Sequence, residues 1–208
     1  GSYFDSRMID NYVYIIVNQP INYYGKENSN LSLPQIKYNG KNIPLEAADI
    51  QYFDDVIDYS YQLTTIIALN LDDYNEPAKQ SFLTGYSNNI YVSEKNIYLT
   101  STKYLPYRTY EKVLPEEIVQ NERTVTQKIS IDEDEIVYDA TGEVPGHILN
   151  QFSMDEFKGK FRIATTIGES FNGNSVNNMY VLDDNMNLIG RLENLARSER
   201  IYSVRFIG

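Results

Sequence analysis

The sequence predicts an all-β fold class, built from short antiparallel strands in a repeated four-strand unit. Three observations predict it. Tyrosine is abundant, 19 of 208 residues, alongside frequent isoleucine and asparagine; Tyr and Ile favour strands and Asn favours turns. Short apolar runs alternate with turn signals along most of the chain. The last third also matches earlier segments at a nearly constant spacing.

Taken in order, Ser6–Asp10 and Tyr12–Val17 read as two strands joined at Asp10-Asn11. Both faces of the second are apolar, so it is expected to be covered on both sides. Residues 18–62 are less regular and read as an insertion. Within it, Asn39-Gly40 marks a tight hairpin between Gln35–Tyr38 and Asn42–Leu45. The acidic and aromatic mixtures Gln51–Asp55 and Tyr59–Tyr61 read as loops. Leu63–Leu71 is a strand, Asp72–Pro77 a turn and Ser81–Gly85 the return. Ile90–Ser93 and Ile97–Ser101 form a hairpin about Glu94–Asn96. Leu114–Gln120 fits one or two helical turns, with Pro115 at the start and acids in the first turn, or a mobile loop. Lys128–Ile131, the turn Asp132–Glu135 and Ile136–Ala140 restore the strands.

The repeat then becomes visible. Phe152-Ser-Met154 aligns with Tyr202-Ser-Val204, 50 residues later. Independently, Ile129–Asp132 with Ile136–Tyr138 aligns with Tyr180–Asp183 with Leu188–Gly190, 51 residues on at the aspartates. Four short strands in about 40 to 50 residues is the signature of a β-propeller blade. A β-sandwich is the alternative, but it requires no repeated four-strand unit. The expectation is one partial propeller domain over 1–208. Its blades are placed at about 7–86 (with the insertion 18–62), 89–144 and 150–195. The first strand of a further blade is placed at 201–207. About three blades and one strand fall short of the usual ring of four to eight, so the chain is expected to be part of a longer protein. Gly1-Ser2 reads as a scar of tag removal.

Composition bounds the function. With 18 Lys+Arg against 29 Asp+Glu, the formal charge is −11. That surface repels phosphate backbones and anionic lipid, so nucleic acid is not an expected partner. There is no cysteine and one histidine, His147; this excludes disulfides, thiolate catalysis and His-rich metal centres within one chain. No apolar run approaches the roughly 20 residues of a bilayer-spanning helix.

The motifs weigh toward structure. Asp183–Asn187 opens like a calcium loop, but it lacks the glycine at position six (Leu188) and the glutamate at position twelve (Asn194). It falls where the repeat needs a hairpin turn. Asp132–Glu135 occupies the equivalent turn and reads as a solvated charge run. Asp155-Glu156 is an acidic pair of the kind glycosidases use, but neighbouring strand residues point to opposite faces. His147 follows Pro145-Gly146 between two blades and reads as a partly buried structural histidine without an identifiable orienting partner. Phe171–Asn178 reads as a flexible loop, and Asn30-Leu31-Ser32 is a single glycosylation triplet. No catalytic, cofactor-binding or metal-ligating residue is assigned, and no cofactor is expected.

The stretches Gly142–Glu156, Phe161–Thr166, Asn178–Asp183, Gly190–Leu195 and Glu199–Phe206 resemble the secreted β-propeller domain family of archaea and bacteria. Tyr12–Pro20 and Leu83–Ser93 are similar to it more loosely. The resemblance implies an exported or cell-surface setting and brings no catalytic residues with it. The expected role is therefore a non-catalytic extracellular scaffold or binding module for protein or glycan. A hydrolase acting on polysaccharide or peptide at the central funnel is the alternative, and a purely structural spacer is a third reading. The unpaired strand at 201–207 is expected to drive a homo-oligomer or swapped dimer through its open edge.

Overall fold

The computed structural model describes residues 1–21, 35–43, 45–46, 49–52, 62–73, 76–104, 122–168, 171 and 173–207. The fold class is the expected one. Three antiparallel sheets follow one another along the chain. The first contains β1 (Ser2–Ile9), β2 (Tyr12–Pro20), β6 (Gln62–Asn70) and β7 (Ala78–Thr84), in that order. The short hairpin β3 (Ile36–Tyr38) and β4 (Lys41–Ile43) forms its own two-stranded sheet. A fifth strand, β5 (Ile50–Tyr52), pairs in parallel with β7 at the edge of the first sheet.

The second sheet contains β8 (Ser87–Val92), β9 (Asn96–Tyr104), β10 (Glu122–Asp132) and β11 (Glu135–Pro145). The third contains β12 (Met154–Phe157), β13 (Lys160–Ile167), β14 (Val176–Leu182) and β15 (Leu188–Leu195). In every sheet the first-to-second turn is short: Asp10-Asn11, Ser93–Lys95 and Lys158-Gly159. The second-to-third connection is the longest: 21–61, 105–121 and 168–175.

Turn chemistry explains the short ends. Asn39 and Gly40 take φ of 49° and 76°, the doubly left-handed turn that matches strand twist and that Asn-Gly tolerates. Lys158 and Gly159 repeat it at 53° and 68°. The turn expected over Asp132–Glu135 narrows to Glu133-Asp134, with Glu133 at φ 53°.

The chain divides into two compact units, 1–86 with 130–137, and 87–129 with 138–208. In the first, Tyr14, Ile16, Leu63, Ile66 and Phe82 are buried. Val13, Ile15 and Val17, on the opposite face of β2, are half-buried. The Tyr14 hydroxyl donates to the Glu133 carbonyl at 2.8 Å. In the second unit, Tyr98, Val144, Met154, Phe161, Ile163, Tyr180 and Leu182 form one core. Tyr98 and Phe161 stack at 4.3 Å between ring centres, worth about 0.5–1.5 kcal/mol beyond the area buried.

Several expectations are corrected. Of the Phe152-Ser-Met154 segment only Met154 is strand, opening β12: Gln151–Ser153 is a single 3-10 turn. Asn150 caps it by accepting from the Phe152 N–H at 3.0 Å, and that local bond outcompetes ladder pairing. Phe152 is consequently 66% exposed. Ile201–Ile207 takes no strand assignment, because a strand exists by pairing and this segment pairs with none among the described residues. Residues 176–178, read as flexible loop, open β14. Residues 50–52 pair as β5 although 51–55 read as loop. The Leu114–Gln120 segment and the Asn30–Ser32 triplet lie outside the described residues.

Candidate functional site

Glu156 is the third residue of β12, and period-two alternation sends it and Asp155 to opposite faces. Asp155 meets its register partner Arg162 and accepts from Nε at 2.8 Å and from Nη2. Glu156 reaches the second sheet instead. Its Oε2 accepts from Ser93 Oγ at 2.6 Å, Asn96 Nδ2 at 2.9 Å and the Tyr98 hydroxyl at 2.9 Å. Its backbone N–H donates to the Tyr91 hydroxyl at 3.1 Å. Burial, then the adjacent Glu156 charge, pushes the Tyr98 hydroxyl well above the ordinary phenol range. Burial also raises Tyr91. Both phenols are therefore held neutral, as hydrogen-bond partners rather than proton acceptors. The acidic pair does not converge as two catalytic carboxylates: one side chain is committed to Arg162 and the other to three donors.

A second polar link lies on β10. The Lys128 side chain is 4% exposed, between Gln127 and Ile129. Its Nζ donates to Asp139 Oδ2 at 2.7 Å and to Asp184 Oδ1 at 2.5 Å, and to the Asp184 carbonyl at 3.1 Å. Burial pushes the amine down, but the hydrogen bonds and charges of Asp139 and Asp184 outweigh it, so the ammonium is held above its ordinary range. The group is an assembly cation, not a catalytic base.

The connection between the second and third sheets is tied down residue by residue. The Gly146 N–H donates to the Glu122 carbonyl at 2.8 Å, and Thr124 Oγ1 to the Gly146 carbonyl at 2.6 Å. His147 and Thr166 exchange two backbone bonds, 3.0 and 2.9 Å. His147 does have an orienting partner, contrary to the sequence reading: Nδ1 lies 2.7 Å from Glu122 Oε2. Sequence reasoning missed it because the two residues are 25 positions apart and pairing depends on where β10 begins.

The calcium-like loop is a hairpin turn. Asp183 Oδ1 accepts from the Asn187 N–H at 2.8 Å and Oδ2 from Asn187 Nδ2 at 3.3 Å. The Asn187 N–H, first among the causes, holds the Asp183 carboxyl below its ordinary range. Asp132–Glu135 is exposed throughout. Among the described residues no three His, Cys, Asp or Glu groups gather as a metal site, and no helix is long and apolar enough to cross a membrane.

The residues that matter here, Ser93, Asn96, Tyr98 and Lys128, drew no notice in the sequence. The one available signal was the acidic pair Asp155-Glu156; nothing beside Lys128 in the sequence marks it. Comparison with known proteins agrees with the repeated four-stranded sheets. The profile of the beta propeller domain family matches residues 1–208. An uncharacterized protein of Methanocaldococcus jannaschii is 32% identical over 98% of this chain, and the chain spans 32% of that protein's length. An uncharacterized protein of Archaeoglobus fulgidus is 33% identical over 49% of this chain and 15% of its own length. With its whole length matched and its sheets in four-stranded order, the chain belongs to the beta propeller domain family.

Proposed function

We propose that this chain is a non-catalytic binding module of an exported, cell-surface protein, and that its ligand is a protein or a glycan. One observation carries the reading. Each sheet keeps its longest connection between the second and third strands, at 21–61, 105–121 and 168–175. Rigid sheets with variable connections at a constant position are a common way to build a recognition surface. The half-buried Glu156 and the buried Lys128 are consumed in joining sheets, which favours a scaffold over chemistry. The −11 charge directs recognition toward neutral or basic surfaces.

The test compares the chain with a variant in which residues 106–120 are replaced by a short Gly-Ser linker. Both are applied to immobilised polysaccharides and to fractionated native cell envelope, with circular dichroism confirming the fold. Saturable binding that the variant loses supports the proposal. Binding to nothing in either set overturns it in favour of a spacer. Turnover of a polysaccharide or peptide substrate overturns it in favour of a hydrolase.

A further inference from the structure

The joint between the second and third sheets holds the chain's one histidine. Residues 145–147 are pressed there between β10 and β13. On the β10 side, the Glu122 carbonyl accepts from the Gly146 N–H at 2.8 Å, and Thr124 Oγ1 donates to the Gly146 carbonyl at 2.6 Å. On the β13 side, Thr165 Oγ1 donates to the Pro145 carbonyl at 2.7 Å, and His147 exchanges backbone bonds with Thr166. There is no slack between the two strands: a Cβ on Gly146 would stand 2.5 Å from the Thr166 carbonyl oxygen.

Side chains close this joint a second time. Nδ1 of His147 lies 2.7 Å from Glu122 Oε2, so Glu122 holds 146–147 through its carbonyl and its carboxylate at once. The Glu122 side chain is 13% exposed and the imidazole 36%: the acid is largely out of water, while the ring still meets it. When the ring takes up its second proton, a bond with one charged partner becomes a bond between opposite charges, with Nδ1 donating. The ionisable groups nearby do not cancel that gain. Arg123 follows Glu122 on β10, and alternation sends it to the opposite face. Arg123 and Lys103 of β9 lie 3.6 and 3.5 Å from Glu143 of β11, so two cations share one acid there. Among the described residues, β13 presents Thr165 and Thr166 at the joint, β14 presents Asn177 behind Thr166, and the turn before β12 is Gln151-Phe-Ser153. None of these is titratable.

We propose that His147 and Glu122 form a pH-sensitive clasp on this joint, tight in mild acid and slackening as pH rises through the histidine range. The sign follows from linkage. The contact favours the charged ring in the folded chain only. Its stabilisation is therefore complete below the unfolded histidine's ordinary value, about 6.5, and is lost as pH rises through the higher folded one. Glu122 is also the residue at which the chain returns to the second sheet after 105–121, so the clasp fixes that return as well as the joint.

A single histidine makes the readout unambiguous. The imidazole is titrated by NMR across the histidine range in the folded chain, in urea, and in Glu122→Gln. Hydrogen exchange at Gly146, His147 and Thr166 is compared on the acid and alkaline sides of that range, corrected for intrinsic rates and referred to the Ile66 amide in the first sheet. The proposal requires the folded midpoint to lie about one pH unit above the midpoint in urea, and Glu122→Gln to remove most of that difference. It also requires the joint amides to be about five- to tenfold better protected on the acid side. A folded midpoint at or below the urea value overturns it, as does a folded Glu122→Gln chain with an unmoved midpoint. So does protection at the joint that tracks Ile66 on both sides. Should Glu122→Gln fail to fold, the midpoint and the exchange of the parent chain decide the matter alone.

Discussion

Glu156 shows how one carboxylate can set the register between two sheets. Apolar packing is nearly non-directional, so the ring stack of Tyr98 on Phe161 tolerates small slips. Three donors aimed at one oxygen do not. Tyr98→Phe keeps the ring and removes one hydrogen bond to a charged acceptor, a loss of about 1.5–3 kcal/mol. Glu156→Ala should cost more than Tyr98→Phe, since it leaves three donors without their acceptor. Urea unfolding of both single variants and the double variant should give non-additive losses; strict additivity would mean that the bond carries no stability. Ser198 gives a prediction of opposite sign. It holds left-handed backbone at φ 64°, so Ser198→Gly should raise stability by about 0.5–1 kcal/mol. A lower melting temperature would show that its hydroxyl bond to Gly173 outweighs the backbone strain. The acid at 156 was legible in the sequence as half of a pair, but its role was not. Its partners lie 58 to 63 positions away and are ordinary strand and turn residues.

Among the elements, alternation and turn residues sufficed wherever local chemistry decides. The Asn39-Gly40 hairpin, β6 and the hairpin turn at Asp183–Asn187 fall where their residues place them. β10 extends to Glu122, well before the apolar run that signals it, because Thr124, Thr126 and Gln127 are polar yet buried. Their side chains hide a strand from any reading based on hydropathy. β5 is invisible for a different reason: three residues pair in parallel only because β7 leaves an edge open. Close approach between elements is equally silent in sequence. A Cβ on Gly142, in β11, would stand 2.6 Å from Leu182 Cδ2 and 2.8 Å from the Met186 carbonyl oxygen. The backbone atom cannot turn aside as a side chain can, so Gly142→Ala should destabilise by about 1–3 kcal/mol. Thermal unfolding that matches the parent would show that the hairpin 183–187 yields freely.

For the whole molecule, alkaline pH is the expected weakness. Burial, followed by the charge of Tyr12, pushes the Tyr14 hydroxyl up to about 12. Burial and the Glu193 charge raise Tyr180, and Tyr91, Tyr98 and Lys128 are raised as well. Each group has a folded pKa above its unfolded value, so its stabilisation is complete below the unfolded pKa and is lost as pH rises toward the folded one. The unfolded chain then binds fewer protons, and stability should fall from about pH 10 upward. The tyrosinate absorbance of these four phenols should appear together with loss of the strand circular dichroism. Dichroism unchanged while all tyrosines ionise would refute the coupling. Lys128→Met should lower stability near neutral pH by about 1–3 kcal/mol, discounted for the exposure of Asp184. It should also flatten the alkaline slope, because the amine no longer contributes a proton difference. The family was legible in the repeat; the polar joints between its sheets were not, since they depend on neighbours that only the assembled strands define.

The short turns at one end of each sheet and the long connections at the other divide the labour of engineering. Lys158-Gly159 is a two-residue turn with open space around its glycine, a natural point for attaching a dye or an immobilisation tag. The second-to-third connections are the natural positions for combinatorial randomisation. A library confined to 106–120 would leave the Glu156 and Lys128 joints untouched. The chain thereby offers the elements of a cysteine-free display framework, with a handle at one end of its sheets and a diversifiable surface at the other.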